Sequence, residues 1–167
     1  MTEADQLQKA LQYSWQLLSH RPRSSTELRG RLQRKGYSLT VVDQVVKVLE
    51  SAGELDDLAF SHLWVANRES FKPMGRKRLQ HELAAKGISP LVISEVLADY
   101  DEVKEYQLAD QVAQVQWQKY ISRNPDRQGT KQDLLRLAAW LQRRGFSAGV
   151  IAKICRFYRE QDSKSNS

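Results

Sequence analysis

LAAKGISPL, residues 83–91, is written nearly the same way twice more in this chain, as LQRKGYSLT from Leu32 and LQRRGFSAG from Leu141. A leucine, a cation, a glycine, an apolar residue and a serine in that order spell a helix stop followed by a helix start. Gly36, Gly87 and Gly145 stand where a helix C-terminus favours a left-handed residue, a conformation that a Cβ penalises by roughly 1–2 kcal/mol. Lys35, Lys86 and Arg144 precede them, where a cation complements the helix dipole. Tyr37, Ile88 and Phe146 supply an apolar plug, and Ser38, Ser89 and Ser147 are N-caps for the next helix, the second followed by Pro90 at a first helical position. Each copy predicts a hinge between two helices.

The flanks repeat as well. Eight and four residues before each glycine stand Leu28 and Leu32, Leu79 and Leu83, Leu137 and Leu141. Five, six, nine and ten residues after stand Val41, Val42, Val45 and Val46, then Val92, Ile93, Val96 and Leu97, then Val150, Ile151, Ile154 and Cys155. The i, i+1, i+4, i+5 spacing is a helical stripe despite its richness in valine. Glycine spacings of 51 and 58 residues leave room for one further helix per unit. Those segments carry Trp15, Trp64 and Trp117, expected as core anchors and not as stacking platforms.

The fold class expected is all-α, with three tandem three-helix repeats in an elongated, curved, solenoid-like arrangement. The repeats are placed at 1–53, 54–101 and 102–160, with a disordered polar tail at 161–167. Helices are predicted over 4–19, 25–35, 39–52, 56–71, 76–86, 90–100, 102–122, 131–144 and 148–160. Ser24 with Glu27 and Thr130 with Asp133 have capping-box spacing. Pro22, Pro73 and Pro125 each fall between a first helix and a second. A unit of about 50 residues buries too little surface alone, so the repeats are expected to stabilise one another.

The 167 residues are 28% charged and 41% hydrophobic, with a net charge of +6, which is ordinary for a helical protein in the cytosol. One cysteine excludes an internal disulfide and fits a reducing, cytoplasmic setting; at a repeat core position Cys155 reads as a small hydrophobe. No apolar run approaches about 18 residues, so neither a secretory signal nor a membrane span is expected. His20, His62 and His81 lack metal-ligand spacing, and no phosphate loop or nucleophile motif occurs. Asp56 and Asp57 fit a helix start better than acid–base work. Neither an enzyme nor a bound cofactor or metal is expected.

Charge follows the repeats. Residues 20–35 carry a net +5, residues 68–87 a net +4 and residues 123–159 a net +7, whereas residues 95–110 carry −5. A charge run is by default a solvated face. Three basic middle helices would instead lay out a discontinuous stripe suited to a polyanion or an acidic protein groove. The residues expected to meet a partner or DNA are Arg29, Arg31, Arg34, Lys35, Arg68, Lys72, Arg76, Lys77, Lys86, Arg143, Arg144, Lys153 and Arg156. Of the run Arg76, Lys77 and Arg78, which spans about 200° of helix, the first two are expected outward and Arg78, next to Leu79, packed or paired within the fold.

Residues 26–37, 53–68 and 75–89 together resemble the RecX regulatory family, whose members modulate the RecA recombinase; the likeness runs over roughly residues 7 to 160. It is carried by Gly53, Leu55, Asp56, Asp57, Phe60, Trp64, Val65 and Arg68, and by Gly75, Arg78, Leu79, Glu82, Leu83, Lys86, Gly87 and Ile88. The resemblance implies a non-catalytic helical modulator, monomeric and acting in DNA repair, recombination and the SOS response. It would lodge in the groove of the RecA filament on DNA and inhibit filament extension, ATP turnover and strand exchange, with weak non-specific contact to DNA. Two other readings stand beside it: an independent helix-turn-helix-like nucleic-acid binder, and a scaffold for an acidic peptide.

Overall fold

The structure, a computed structural model, describes residues 2–124, 126 and 128–165, with side chains as far as Asp162. Pro125 lies outside the described residues. Among them the chain forms nine helices: α1 (Glu3–His20), α2 (Ser25–Arg34), α3 (Leu39–Ser51), α4 (Asp57–Phe71), α5 (Arg76–Ala85), α6 (Pro90–Val96), α7 (Glu102–Ile121), α8 (Lys131–Arg143) and α9 (Ala148–Ser165). All nine lie where the periodicity puts them. Two ends differ. α6 stops at Val96 and not at residue 100; a turn follows, in which the Tyr100 amide donates to the Leu97 carbonyl at 3.1 Å. α9 runs on to Ser165 where the sequence suggested a disordered tail, since Gln161–Ser165 holds neither glycine nor proline to stop it.

The three hinges have one geometry. Gly36, Gly87 and Gly145 adopt φ of 97°, 76° and 81°. At each, the glycine amide and the next amide turn back onto the helix they end, as in Gly87 to Ala84 (2.9 Å) and Ile88 to Leu83 (3.1 Å). Ser38, Ser89 and Ser147 then accept the amides of Val41, Val92 and Val150, starting the next helix. The capping boxes at Ser24–Glu27 and Thr130–Asp133 form, as does one at Thr2–Asp5. The six leucines ahead of the hinges are wholly buried.

Contacts group the chain into two compact units. Unit one comprises the described residues up to Trp64 with Glu82–Val96; unit two comprises Val65–His81 with the described residues from Leu97 onward. In unit one, α1, α2 and α3 close over a core that includes Leu28, Leu32, Val42 and Leu49. In unit two, α7, α8 and α9 close over Ala109, Ala113, Trp117, Leu137, Leu141 and Ile154. Two of the three tryptophans depart from expectation. Trp117 is a core anchor, but Trp15 is 45% exposed and Trp64 half-buried. Their indole N–H groups reach carboxylates, Glu54 and Glu82 respectively, which favours a ring lying at the surface. Cys155 is half-buried, and burial pushes its thiol pKa up.

The same joint is built once in each unit. Twelve residues before its own hinge glycine, the N-cap of a middle helix receives the carbonyl that precedes the following hinge glycine. Ser24 Oγ donates to the Lys86 carbonyl at 2.7 Å in unit one, and the Gly75 amide donates to the Arg144 carbonyl at 2.9 Å in unit two. One position further on, the first helical amide meets a carboxylate from the next repeat's first helix. Ser25 N–H donates to Asp57 at 2.7 Å, and Arg76 N–H to Glu105 at 3.1 Å. The second and third hinges therefore perform two tasks: each ends a helix, and each presents its backbone to an earlier helix start.

Candidate partner and nucleic-acid interface

The structure sorts the thirteen basic candidates by what already holds them. Arg29, Lys86 and Lys153 pair with Asp43, Glu27 and Glu102. Lys86 approaches Glu27 to 2.6 Å; burial works against that carboxylate, but hydrogen bonds from Lys86 and Arg21 outweigh it and hold its pKa below the usual value. Arg68 is half-buried. Arg31, Arg34 and Lys35 are exposed in unit one, Lys35 with its ammonium 5.4 Å from the Tyr13 ring centre. Lys72, Lys77, Arg143 and Arg156 are exposed in unit two. Asp56 is engaged in capping, accepting the amides of Leu58 and Ala59. No group of His, Cys, Asp and Glu among the described residues could hold a metal ion, and no helix there is long and apolar enough to cross a membrane.

The run at the start of α5 is corrected. Arg76, expected outward, folds back to donate to the carbonyls of Leu97 and Tyr100, the latter at 2.8 Å. Arg78, expected to be packed or paired within the fold, is exposed, with its Cβ and backbone against Gly145 and an interaction of its own. The physical reason is the turn at Leu97–Tyr100: it brings two carbonyls close together, and a five-donor guanidinium serves both. Arg76→Glu is therefore expected to destabilise the protein by about 2 kcal/mol, the scale of hydrogen bonds from a charged donor. Lys77→Glu should stay within about 0.5 kcal/mol. Thermal melts of the two single variants check this, and equal melting would remove the structural role given to Arg76.

Unit two brings several of these cations together. Lys72, Arg78, Arg143 and Arg144 line a hollow of about 210 Å³ with Met74 and Trp140. A second hollow of about 260 Å³ shares Lys72, Trp140 and Arg144 and adds Phe71, Val112, Val115 and Lys119. No carboxylate lines either one. The Arg144 guanidinium sits 4.3 Å from the Trp140 ring centre and donates to the Pro73 carbonyl at 2.9 Å, and burial lowers its pKa. Phe71 is 82% exposed. Sequence reasoning singled out neither Phe71, Lys119 nor Trp140. A signal existed: five residues before the hinge glycine the other repeats carry Arg31 and Glu82, so a tryptophan at 140 stands on a polar position.

Residues 10–49 match the first three-helix domain of RecX, and residues 56–97 match the second. The chain is 33% identical over 138 residues to the regulatory protein RecX of Mycobacterium leprae (strain Br4923), covering 83% of this chain and 78% of the relative. The chain belongs to the RecX family. RecX of Mycobacterium sp. (strain KMS) is 33% identical over 154 residues, 92% of this chain and 83% of its own. A crystal structure of RecX from Lactobacillus salivarius superposes with a TM-score of 0.80 at 18% identity, covering 93% of this chain and 98% of that one. Another RecX crystal structure gives 0.77 at 23% identity, covering 91% and 72%. The RecX fold is thus the fold of this chain. As a RecX family member it is a regulatory protein and not an enzyme.

Proposed function

We propose that this chain binds the RecA filament on DNA, as a monomer in the cytoplasm, and restrains filament extension, ATP turnover and strand exchange. The observation that carries the reading is the family itself, regulatory proteins named RecX over most of the chain. The exposed cations Arg31, Arg34 and Lys35 in unit one, and Lys72, Lys77, Arg143 and Arg156 in unit two, support it by offering charge to an acidic groove or to phosphates. A modulator of this kind acts by occupying space and needs no chemistry. We keep the three-repeat division at 53/54 and 101/102 as our proposal for the repeating unit. The deciding experiment is RecA-dependent ATP hydrolysis on single-stranded DNA with and without this protein. Suppression of hydrolysis is expected, with binding to bare DNA that is weak, indifferent to sequence and sensitive to salt. Unchanged hydrolysis, together with tight sequence-selective binding to bare duplex, would overturn the reading in favour of an independent DNA binder.

A further inference from the structure

We propose that the cleft of unit two where Phe71, Lys72, Trp140, Arg143 and Arg144 meet is a seat for single-stranded nucleic acid. Phosphates lie on Lys72 and Arg143, and an unstacked base lies on Phe71. The proposal deepens the reading above and rests on it only in taking nucleic acid to be part of the target.

Three observations favour this occupant. The two hollows share Lys72, Trp140 and Arg144, so they adjoin, and the charged lining of both is wholly cationic. A depression lined by cations, with no acidic residue in its lining, is suited to a polyanion. Phe71 leaves 82% of its surface open, more than any other exposed aromatic among the described residues. It is adjacent in sequence to Lys72, so an open π-face and a phosphate-seeking ammonium occur side by side. Stacking on such a ring accepts any base, but only one drawn out of a duplex, which points to a single strand. Finally, Arg144 is held at both ends of its reach, over Trp140 and on the Pro73 carbonyl. A guanidinium fixed in place offers a plane on which a second base can stack without losing further side-chain freedom. An acidic peptide would meet the same cations, but it has no need of an exposed aromatic face beside them.

The test uses the full chain and a fluorescein-labelled oligodeoxythymidylate of about 12 nucleotides, within the usual span of such sites, read by anisotropy over a salt series. Lys72→Glu with Arg143→Glu is expected to weaken binding at low salt at least about tenfold. It should also reduce the slope of log affinity against log salt by about 1.4, two phosphates at about 0.7 each for a single strand. Phe71→Ala should weaken binding at least about fivefold with the slope unchanged, and Phe71→Trp should retain it. All these side chains are exposed, so melting should stay near that of the parent. Oligonucleotide binding unchanged in the charge-reversed variant overturns the seat. So does a pattern in which only binding of a glutamate-rich peptide is lost. Parallel RecA hydrolysis assays separate the two claims. If the parent binds the oligonucleotide through these residues yet leaves RecA untouched, the filament reading fails and the seat stands. If it suppresses RecA while the variants bind oligonucleotide normally, the seat fails and the filament reading stands.

Discussion

Replacing Gly75 by alanine is expected to lower the melting temperature by about 6 to 12 °C, the shift that about 3 kcal/mol of overpacking produces in a protein of this size. The new Cβ would fall 2.1 Å from the Gly145 carbonyl oxygen and 2.2 Å from the Phe146 nitrogen. These are backbone atoms, so no side chain can rotate away, and the joint between the start of α5 and the third hinge must open. The hinge glycines themselves should follow a graded order when changed to valine. Gly145 should suffer most, since its left-handed φ adds to a Cβ placed 2.5 Å from Arg78 Cβ and 2.6 Å from Arg78 N. Gly87 comes next, because its Cβ would meet the Thr26 side chain at 2.2 Å. Gly36 has nothing within 4 Å and should lose only the backbone strain, on the order of 1 kcal/mol or more. Melts of the four variants check the order, and equal losses at Gly36 and Gly145 would remove the joint from the explanation.

Glu105→Ala is expected to destabilise by about 4 kcal/mol, among the larger effects a single truncation gives. Glu105 is 6% exposed, and one carboxylate oxygen accepts both the Arg76 amide at 3.1 Å and the Ser147 amide at 3.2 Å. Its loss leaves amides at two helix starts facing no acceptor, each costing the desolvation of an unmade bond. Three residues earlier, Glu102 provides the control. Its pair with Lys153 is 60% and 58% exposed on the two sides, so Glu102→Ala should change stability by less than about 1 kcal/mol. Denaturant titration of both variants decides the matter, and similar midpoints would mean that Glu105 is only a solvated acid.

The contrast shows what could and could not be read from the sequence. The hinges, the helix spans and the buried leucines were legible because they depend on short spacings, three to ten residues, that a helix converts directly into geometry. Glu105 was not. It sits in a stretch of net −5 and looks like its neighbours, and only the amides of Arg76 and Ser147 reaching its carboxylate distinguish it from Glu102. Arg76 was misplaced for the same reason: residue type and helical phase could not reveal that the carbonyls of Leu97 and Tyr100 would lie within its reach. In the cleft, charge was legible at Lys72, Arg143 and Arg144. Their convergence on Trp140 was not, because it depends on the loop before α5 meeting the end of α8 in unit two. Cation counts along a chain locate charge but not the direction in which it points.

The joint also has a consequence for the order of synthesis. Ser25 waits for Asp57, 32 residues later, and Arg76 waits for Glu105, 29 residues later. A ribosome adding about 5–20 residues per second therefore releases each of these middle helices with its first amide unserved, for on the order of seconds. Chain emerging afterwards completes what came before, so folding should trail translation by about one repeat. The capping boxes do not wait: Ser24 with Glu27 and Thr130 with Asp133, each pair three residues apart, close within a fraction of a second of being made.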